Sequence, residues 1–226
     1  MKSKRIFYSE LAYLFGLTVL ALGTALMEKA DFGLSMVTAP AYILHLKVSE
    51  FIPFFSFGMS GYVLQAVLLA VLALICGRFK KSYLLSFVTA FLFGVVLDLE
   101  ISVLALFSFD AVVWRVLFFA TGLVACSTGV ALMFHTYFPP EAYDLFVKEI
   151  SQKFGTDIGK TKTVYDFCSF VLAVILSLAF YGTFVGVNWG TVICTAVNGT
   201  LIGRISFWLD KNFVFKDALM LRDKIK

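Results

Sequence analysis

The sequence predicts an all-α polytopic membrane protein: six transmembrane helices arranged as two inverted three-helix repeats, each with an additional short amphipathic or re-entrant helix. Three observations predict it. Of 226 residues 60% are hydrophobic and only 15% charged, against about a quarter charged in ordinary soluble domains, and the mean hydropathy is +0.90. Six apolar runs reach the roughly 20 residues that a bilayer crossing requires, near 11–29, 57–77, 82–106, 112–136, 164–184 and 188–208. Finally, Gly16 to Met27, GLTVLALGTALM, is written again at Gly122 to Met133 as GLVACSTGVALM. Behind each copy come a polar break, a stretch with Pro and Tyr (Pro40, Tyr42; Pro140, Tyr143) and two further apolar spans, the last with Gly94 or Gly199 at matching depth. One membrane domain over 1–226 is expected, with halves at about 11–106 and 112–208 and a basic cytoplasmic tail at 209–226.

Span one follows Lys2, Lys4 and Arg5 and could be taken for a signal peptide. Its loss would leave the second half without a counterpart, so it is read as retained. Gly16 and Gly23, like Gly122 and Gly129, lie seven residues apart, which puts each pair on one helix face where small residues let backbones approach. Span one is therefore expected to pack on span four. After span one come Glu28, Lys29, Asp31 and Gly33, with Ser35 as a helix cap. A short element over Ser35 to about Lys47 follows, then span two with Gln65 inside it, and span three.

The second half repeats the order. After span four, His135 precedes Pro139-Pro140, where proline suits the first turn of a helix. Ala142, Leu145, Phe146, Ile150 and Phe154 then recur at helical spacing, opposite Asp144, Lys148, Glu149, Gln152 and Lys153. This element could dip into the membrane as a half-helix, but its amphipathicity favours a helix lying flat on the surface. For the more apolar copy at about 35–47 both placements stay open. Because three spans per half is an odd number, the second half must be inverted relative to the first.

The Lys/Arg distribution sets the orientation. With the N-terminus inside, the inner segments hold Lys2, Lys4, Arg5, Arg78, Lys80, Lys81, Lys148, Lys153, Lys160, Lys162 and the tail from Arg204. The outer segments hold Lys29, Lys47 and Arg115, and the loops there also carry Asp31, Asp98, Glu100 and Asp110. Both termini are expected in the cytoplasm, and the protein in the cell's inner (plasma) membrane. Trp114, Trp189 and Trp208 fall at span ends, where amphipathic rings prefer to sit.

No hydrolase, phosphate-loop, zinc or dinucleotide signature is present, so the chain is not expected to be an enzyme. Cys76, Cys126, Cys168 and Cys194 lie singly in apolar runs and His45 and His135 lack ligand spacing, so no metal or other cofactor is expected. A net charge of +4 with basic residues at span ends does not suit nucleic acid. What remains are polar groups where lipid makes them costly. Asp166 lies early in span five, Gln65 comparably in span two, and Asn198 beside Gly199 near mid-span six, flanked by Thr191. Asp31, and His135 with Asp144, mark the two related breaks, read as opposite mouths of one pathway. These seven residues are the candidate solute-binding set. Each has a plainer reading: Asn198 and the threonines as helix–helix hydrogen bonds, and Asp166 as a snorkelling partner of Lys162.

The chain resembles the YitT/YczE group of bacterial integral membrane proteins. The resemblance rests on Ala30-Asp31-Phe32-Gly33-Leu34-Ser35, Pro139-Pro140 with Asp144, the Gly94-to-Asp98 step and Gly190-Thr191. It covers most of 11–205, although Met36 stands where the group's pattern has a proline after Gly-Leu-Ser. It implies the fold and the membrane location, and leaves the solute unnamed. The expected function is a small secondary transporter or facilitator for a small solute. The alternative is a substrate-binding membrane subunit or assembly factor that docks a cytoplasmic partner through its basic face. The bilayer is the expected surrounding, and a homo-oligomer is compatible with the sequence.

Overall fold

The computed structural model describes residues 4–33, 35–55, 57–80, 82–107 and 111–219. Lys2, Leu34, Lys81, Asp110 and the tail beyond Leu219, invoked above, lie outside the described residues. Eight helices run in order among those described: α1 (Ser9–Ala30), α2 (Ala39–Ser49), α3 (Phe57–Cys76), α4 (Ser82–Ala105), α5 (Val112–Phe134), α6 (Ala142–Phe154), α7 (Ile158–Tyr181) and α8 (Trp189–Asn212). Six of them, all but α2 and α6, are long and apolar enough to cross a membrane. The chain is therefore a multi-pass membrane protein by length and composition. Local chemistry sets the helix ends. The Asp157 side chain accepts a hydrogen bond from the Lys160 amide (2.9 Å) to start α7. Asn188 and Thr191 form a capping box that starts α8. Asp31 (φ 54°) and Gly182 (φ 66°) end α1 and α7 in the left-handed region.

The centre of the bundle is the pair α1 and α5, which also pack on α4 and α8 respectively. Gly16 faces Gly129 and Gly23 faces Gly122, so the two helices cross antiparallel. A Cβ on Gly23 would stand 2.7 Å from the Gly122 carbonyl oxygen, and one on Gly129 would stand 2.6 Å from that of Gly16. Such contacts need helices packed backbone to backbone. Leu17, Leu20, Val130 and Met133 fill the seam on either side. A second close crossing joins α7 to α8, where Gly159 lies against Gly199 and Gly203.

The structure departs from the sequence expectation in four places, besides the later starts of α2, at Ala39 with Thr38 rather than Ser35 before it, and of α6, at Ala142 rather than at Pro139-Pro140. Two four-residue strands, β1 (Arg5–Tyr8) and β2 (Phe213–Lys216), pair in parallel and bring the two ends of the described chain to one end of the bundle, here called the terminal end. So short a ribbon is marginal alone, and it is held by Phe7 packing on Phe213 and Phe215. Glu10 also accepts from the Ala218 and Leu219 amides. Span five begins at Ile158 rather than 164, so Lys160 and Lys162 are helical residues. Hydropathy stops short of them because it scores a lysine without its partners. Asp98 and Glu100 belong to α4, not to a loop.

The fourth is the extent to which protein surrounds α6. Its first turn is buried, with Ala142, Tyr143, Asp144 and Leu145 all 7% exposed or less, and the helix packs on α3, α4 and α7. Its charged face finds protein partners: Glu149 takes Lys80 at 2.6 and 2.7 Å, Lys148 donates to the Thr136 carbonyl at 2.6 Å, and Lys153 donates to the Ile75 carbonyl. The turn before α6 is tied inward as well: the Pro139 carbonyl accepts from Thr89 on α4 (2.7 Å), whose hydroxyl also meets that of Tyr13 on α1 (2.8 Å). At the other, distal end, α2 buries Ala39, Pro40, Ala41 and Ile43 and packs on α3 and α7 too. The same two spans thus receive one short helix from each end.

Candidate functional site

Lys162 and Asp166 are one turn apart on α7, so helical geometry puts them on one face, and the packing of α6 on α7 brings Asp144, in the first turn of α6, to the same point. Lys162 Nζ lies 2.8 Å from Asp144 Oδ1 and 3.1 Å from Asp166 Oδ1. Lys162 is 3% exposed and Asp166 0%. On the far side of Asp166, Asn198 of α8 donates to Oδ2 at 3.3 Å. Asn198 Oδ1 in turn lies within hydrogen-bonding distance, 2.9 Å, of the Ser127 hydroxyl of α5. One polar chain therefore crosses the second half from α6 through α7 and α8 to α5.

Two aromatic rings separate this chain from a lateral cleft. Tyr165 lies with its ring centre 5.5 Å from Lys162 Nζ and packs on Phe146 at 5.6 Å. Both rings line an apolar cleft of about 790 Å³ between α2, α3, α6 and α7. Leu64 and Leu68 wall its α3 side and Val37 and Pro40 its α2 side. Neither Asp166 nor Asn198 is among its walls. The cleft and the charged chain are adjacent, with Tyr165 common to both.

Glu141, which precedes α6, feels the charges of Asp144 and Lys162. Burial raises its carboxyl from 4.5 to about 8; the Asp144 charge adds to the rise and Lys162 opposes it. An acid whose folded pKa is raised binds its proton more tightly in the folded state. Stability is then greatest below the unfolded value and declines as pH rises from about 4.5 through about 8. We expect the melting temperature to fall across that window and Glu141→Gln to flatten part of the fall. Parallel curves for the two proteins would contradict this.

The remaining candidates lie elsewhere. Gln65 of α3 is buried beside the Tyr143 hydroxyl of α6, one helix away from the charged chain. Asp31 pairs with Arg115 at 3.1 Å at the distal end, where Arg115 also donates to the Ala30 carbonyl at 2.8 Å and so closes the end of α1. Thr191 is near it but buried in the cap of α8. There the Gly190 amide donates to the Phe32 carbonyl (2.9 Å), and Gly33, at φ 110°, fits against Asn188. Asp31, Gly33, Tyr42 and Asn188 border a hollow of about 580 Å³. His135 stays at the terminal end, 3.1 Å from Asp210. The structure thus joins Asp144, Asp166 and Asn198, places Gln65 beside them, and leaves Asp31, Thr191 and His135 at the two ends.

Comparison with known proteins adds a family. One family model matches residues 7–206, nearly the whole bundle. The chain belongs to that family, described as "Family of unknown function (DUF6198)". The chain is also similar to "Uncharacterized protein YyaS" of Bacillus subtilis (strain 168): 25% identity over 212 residues, covering 91% of this chain and 96% of the relative. No solved structure matches it. Neither match carries the YitT/YczE name, and that finer likeness rests on the short motifs alone. Sequence reading passed over Ser127, Glu141 and Tyr165 as parts of the site, and used Lys162 as a topology signal and as a plain partner of Asp166. The available signal was Asp144, Lys162 and Asp166 together, but it spans two helices whose contact the sequence does not give.

Proposed function

We propose that this DUF6198 protein is a small transporter or facilitator that moves a small solute across the bacterial inner membrane. One observation carries the reading: a chain of ion pairs and hydrogen bonds, Asp144–Lys162–Asp166–Asn198, that leads from the short helix α6 into α7 and α8, two helices of membrane-spanning length. Ionisable groups at such positions are costly and mark ion or solute pathways. The reading includes two inverted halves. The element order long, short, long, long occurs twice, and the reciprocal contacts Gly16–Gly129 and Gly23–Gly122 are those a two-fold axis between α1 and α5 would generate. On this plan α2 and α6 are half-helices entering from opposite faces between α3 and α7, and the solute passes along that seam. The likeness to the YitT/YczE group supports the same plan.

Two experiments test it. The orientation places both termini in the cytoplasm and the end of α2 outside. In a cysteine-free background, a cysteine at Phe51 should then label from the outside and one at Phe154 from the inside; both are well exposed. Labelling of both from one side would rule out the inverted plan. For transport, liposomes carrying the protein are incubated with a bacterial metabolite extract and their contents compared by mass spectrometry. At least one solute should accumulate with the wild-type protein and not with Asp166→Asn. If no solute differs, the transporter reading fails, and the alternative of a membrane subunit acting with a partner takes its place.

A further inference from the structure

The charged chain has more acid than base. Asp144 and Asp166 share the Lys162 ammonium, and Glu141 is near enough to feel the charges of Asp144 and Lys162. Among the described residues, the other groups that interact with them carry no second cation: Tyr165 on α7, Asn198 and Cys194 on α8, Ser127 and Cys126 on α5, Tyr13 on α1, and Gln65 with Tyr143 across α3 and α6. Excess negative charge in so buried a place is costly, and binding one proton relieves it.

A second, independent observation comes from Asp166 itself. An ionised carboxylate offers about four acceptor positions. The fully buried Asp166 receives one long hydrogen bond at Oδ2, from Asn198 at 3.3 Å. Its Oδ1 is met by the Lys162 ammonium, 3.1 Å away, and by no other donor among the described residues. Two long contacts for about four acceptor positions leave this buried carboxylate sparsely held, while Lys162 keeps its shorter contact with Asp144. Because Lys162 is shared between an acid on α6 and one on α7, taking up a proton changes what holds the two helices together.

We propose that Glu141, Asp144, Asp166 and Lys162 form a proton-exchange site that carries one exchangeable proton in the neutral range, with the proton as the coupling ion of the transporter. The proton comes from water and returns to it; no other bond is made or broken. The proton belongs to the coupled group rather than to one residue. The proposal rests on the transport reading for its purpose only, since proton binding is measurable with no solute present.

The test is infrared difference spectroscopy of the purified full-length protein in lipid, titrated through the neutral range, with the protonated-carboxyl band as the readout. Wild type should show one such band that disappears as pH rises, with a midpoint near neutrality. Asp166→Asn and Glu141→Gln, each removing one acid, should each abolish the titrating band or shift its midpoint by a full pH unit or more, while eluting as folded protein. The control Glu50→Gln, at the end of α2, should leave it unchanged. A wild-type spectrum with no titrating carboxyl in the neutral range overturns the proposal. So does a band that survives unshifted in both variants, and so does equal loss in the control. If the band titrates as expected and no solute moves in the liposome experiment, the site stands and the transport reading alone fails.

Discussion

Lys162→Met is expected to destabilise the protein by about 3–5 kcal/mol, the cost typical of removing one partner from a buried ion pair. Lys162 is 3% exposed and lies between Asp144 and Asp166, which are themselves 7% and 0% exposed. Methionine fills similar space but leaves two carboxylates without their cation, and the protein must either protonate both or admit water. Adding Asp144→Asn and Asp166→Asn to the same chain removes those charges, so the triple variant should recover most of the lost stability. Thermal unfolding in detergent, followed by loss of the monodisperse peak, measures both effects. A single variant as stable as wild type, or a triple variant no better than the single, would show that the three charges do not act as one unit.

Gly129→Ala should be nearly as damaging, although it adds only one carbon. The new Cβ would stand 2.6 Å from the Gly16 carbonyl oxygen and 2.6 Å from the Leu20 amide nitrogen. Both obstacles are backbone, so no side-chain rotation relieves them and α1 must move away from α5. Overpacking of this kind costs about 1–3 kcal/mol, with Leu at the upper end. Gly23→Ala meets the Cys126 amide nitrogen at 2.5 Å and should behave alike. Gly94 of α4 is the control, because a Cβ there meets nothing within 4 Å. Equal melting temperatures for Gly94→Ala and Gly129→Ala would remove the close α1–α5 crossing from the account.

These two contrasts also show what the sequence could and could not say. The seven-residue glycine spacing in each copy is a local pattern, readable because a helix maps sequence distance onto one face. Gly199 and Gly203 carry a like signal at four-residue spacing, and it went unread beside Asn198, which drew attention to polarity instead. The six long helices followed from hydropathy, which sums over a window and tolerates single errors. The start of α7 did not, since Lys160 and Lys162 look like a boundary until Asp144 is seen to neutralise one of them. For α6 the amphipathic pattern is legible, and its protein contacts are not. Lys148, Glu149 and Lys153 have the composition of a solvated face, yet each is met by a protein partner that no local rule supplies. Likewise β1 and β2 lie at opposite ends of the chain, and their pairing is a consequence of where the bundle returns.

The most direct test is whether water reaches the middle of the charged chain. In a background where Cys76, Cys126, Cys168 and Cys194 are replaced, Asn198→Cys is exposed to a small hydrophilic thiol reagent in liposomes of known orientation. The account predicts modification from the aqueous phase, slowed when Asp144 and Lys162 are kept and faster in Asp144→Asn, where α6 is held less firmly. Position Val197, exposed on α8 at the depth of Asn198, serves as the lipid-facing reference and should react with a lipophilic reagent only. No reaction at Asn198→Cys in either background would mean that these charges are sealed among helices as a structural knot and lie on no pathway.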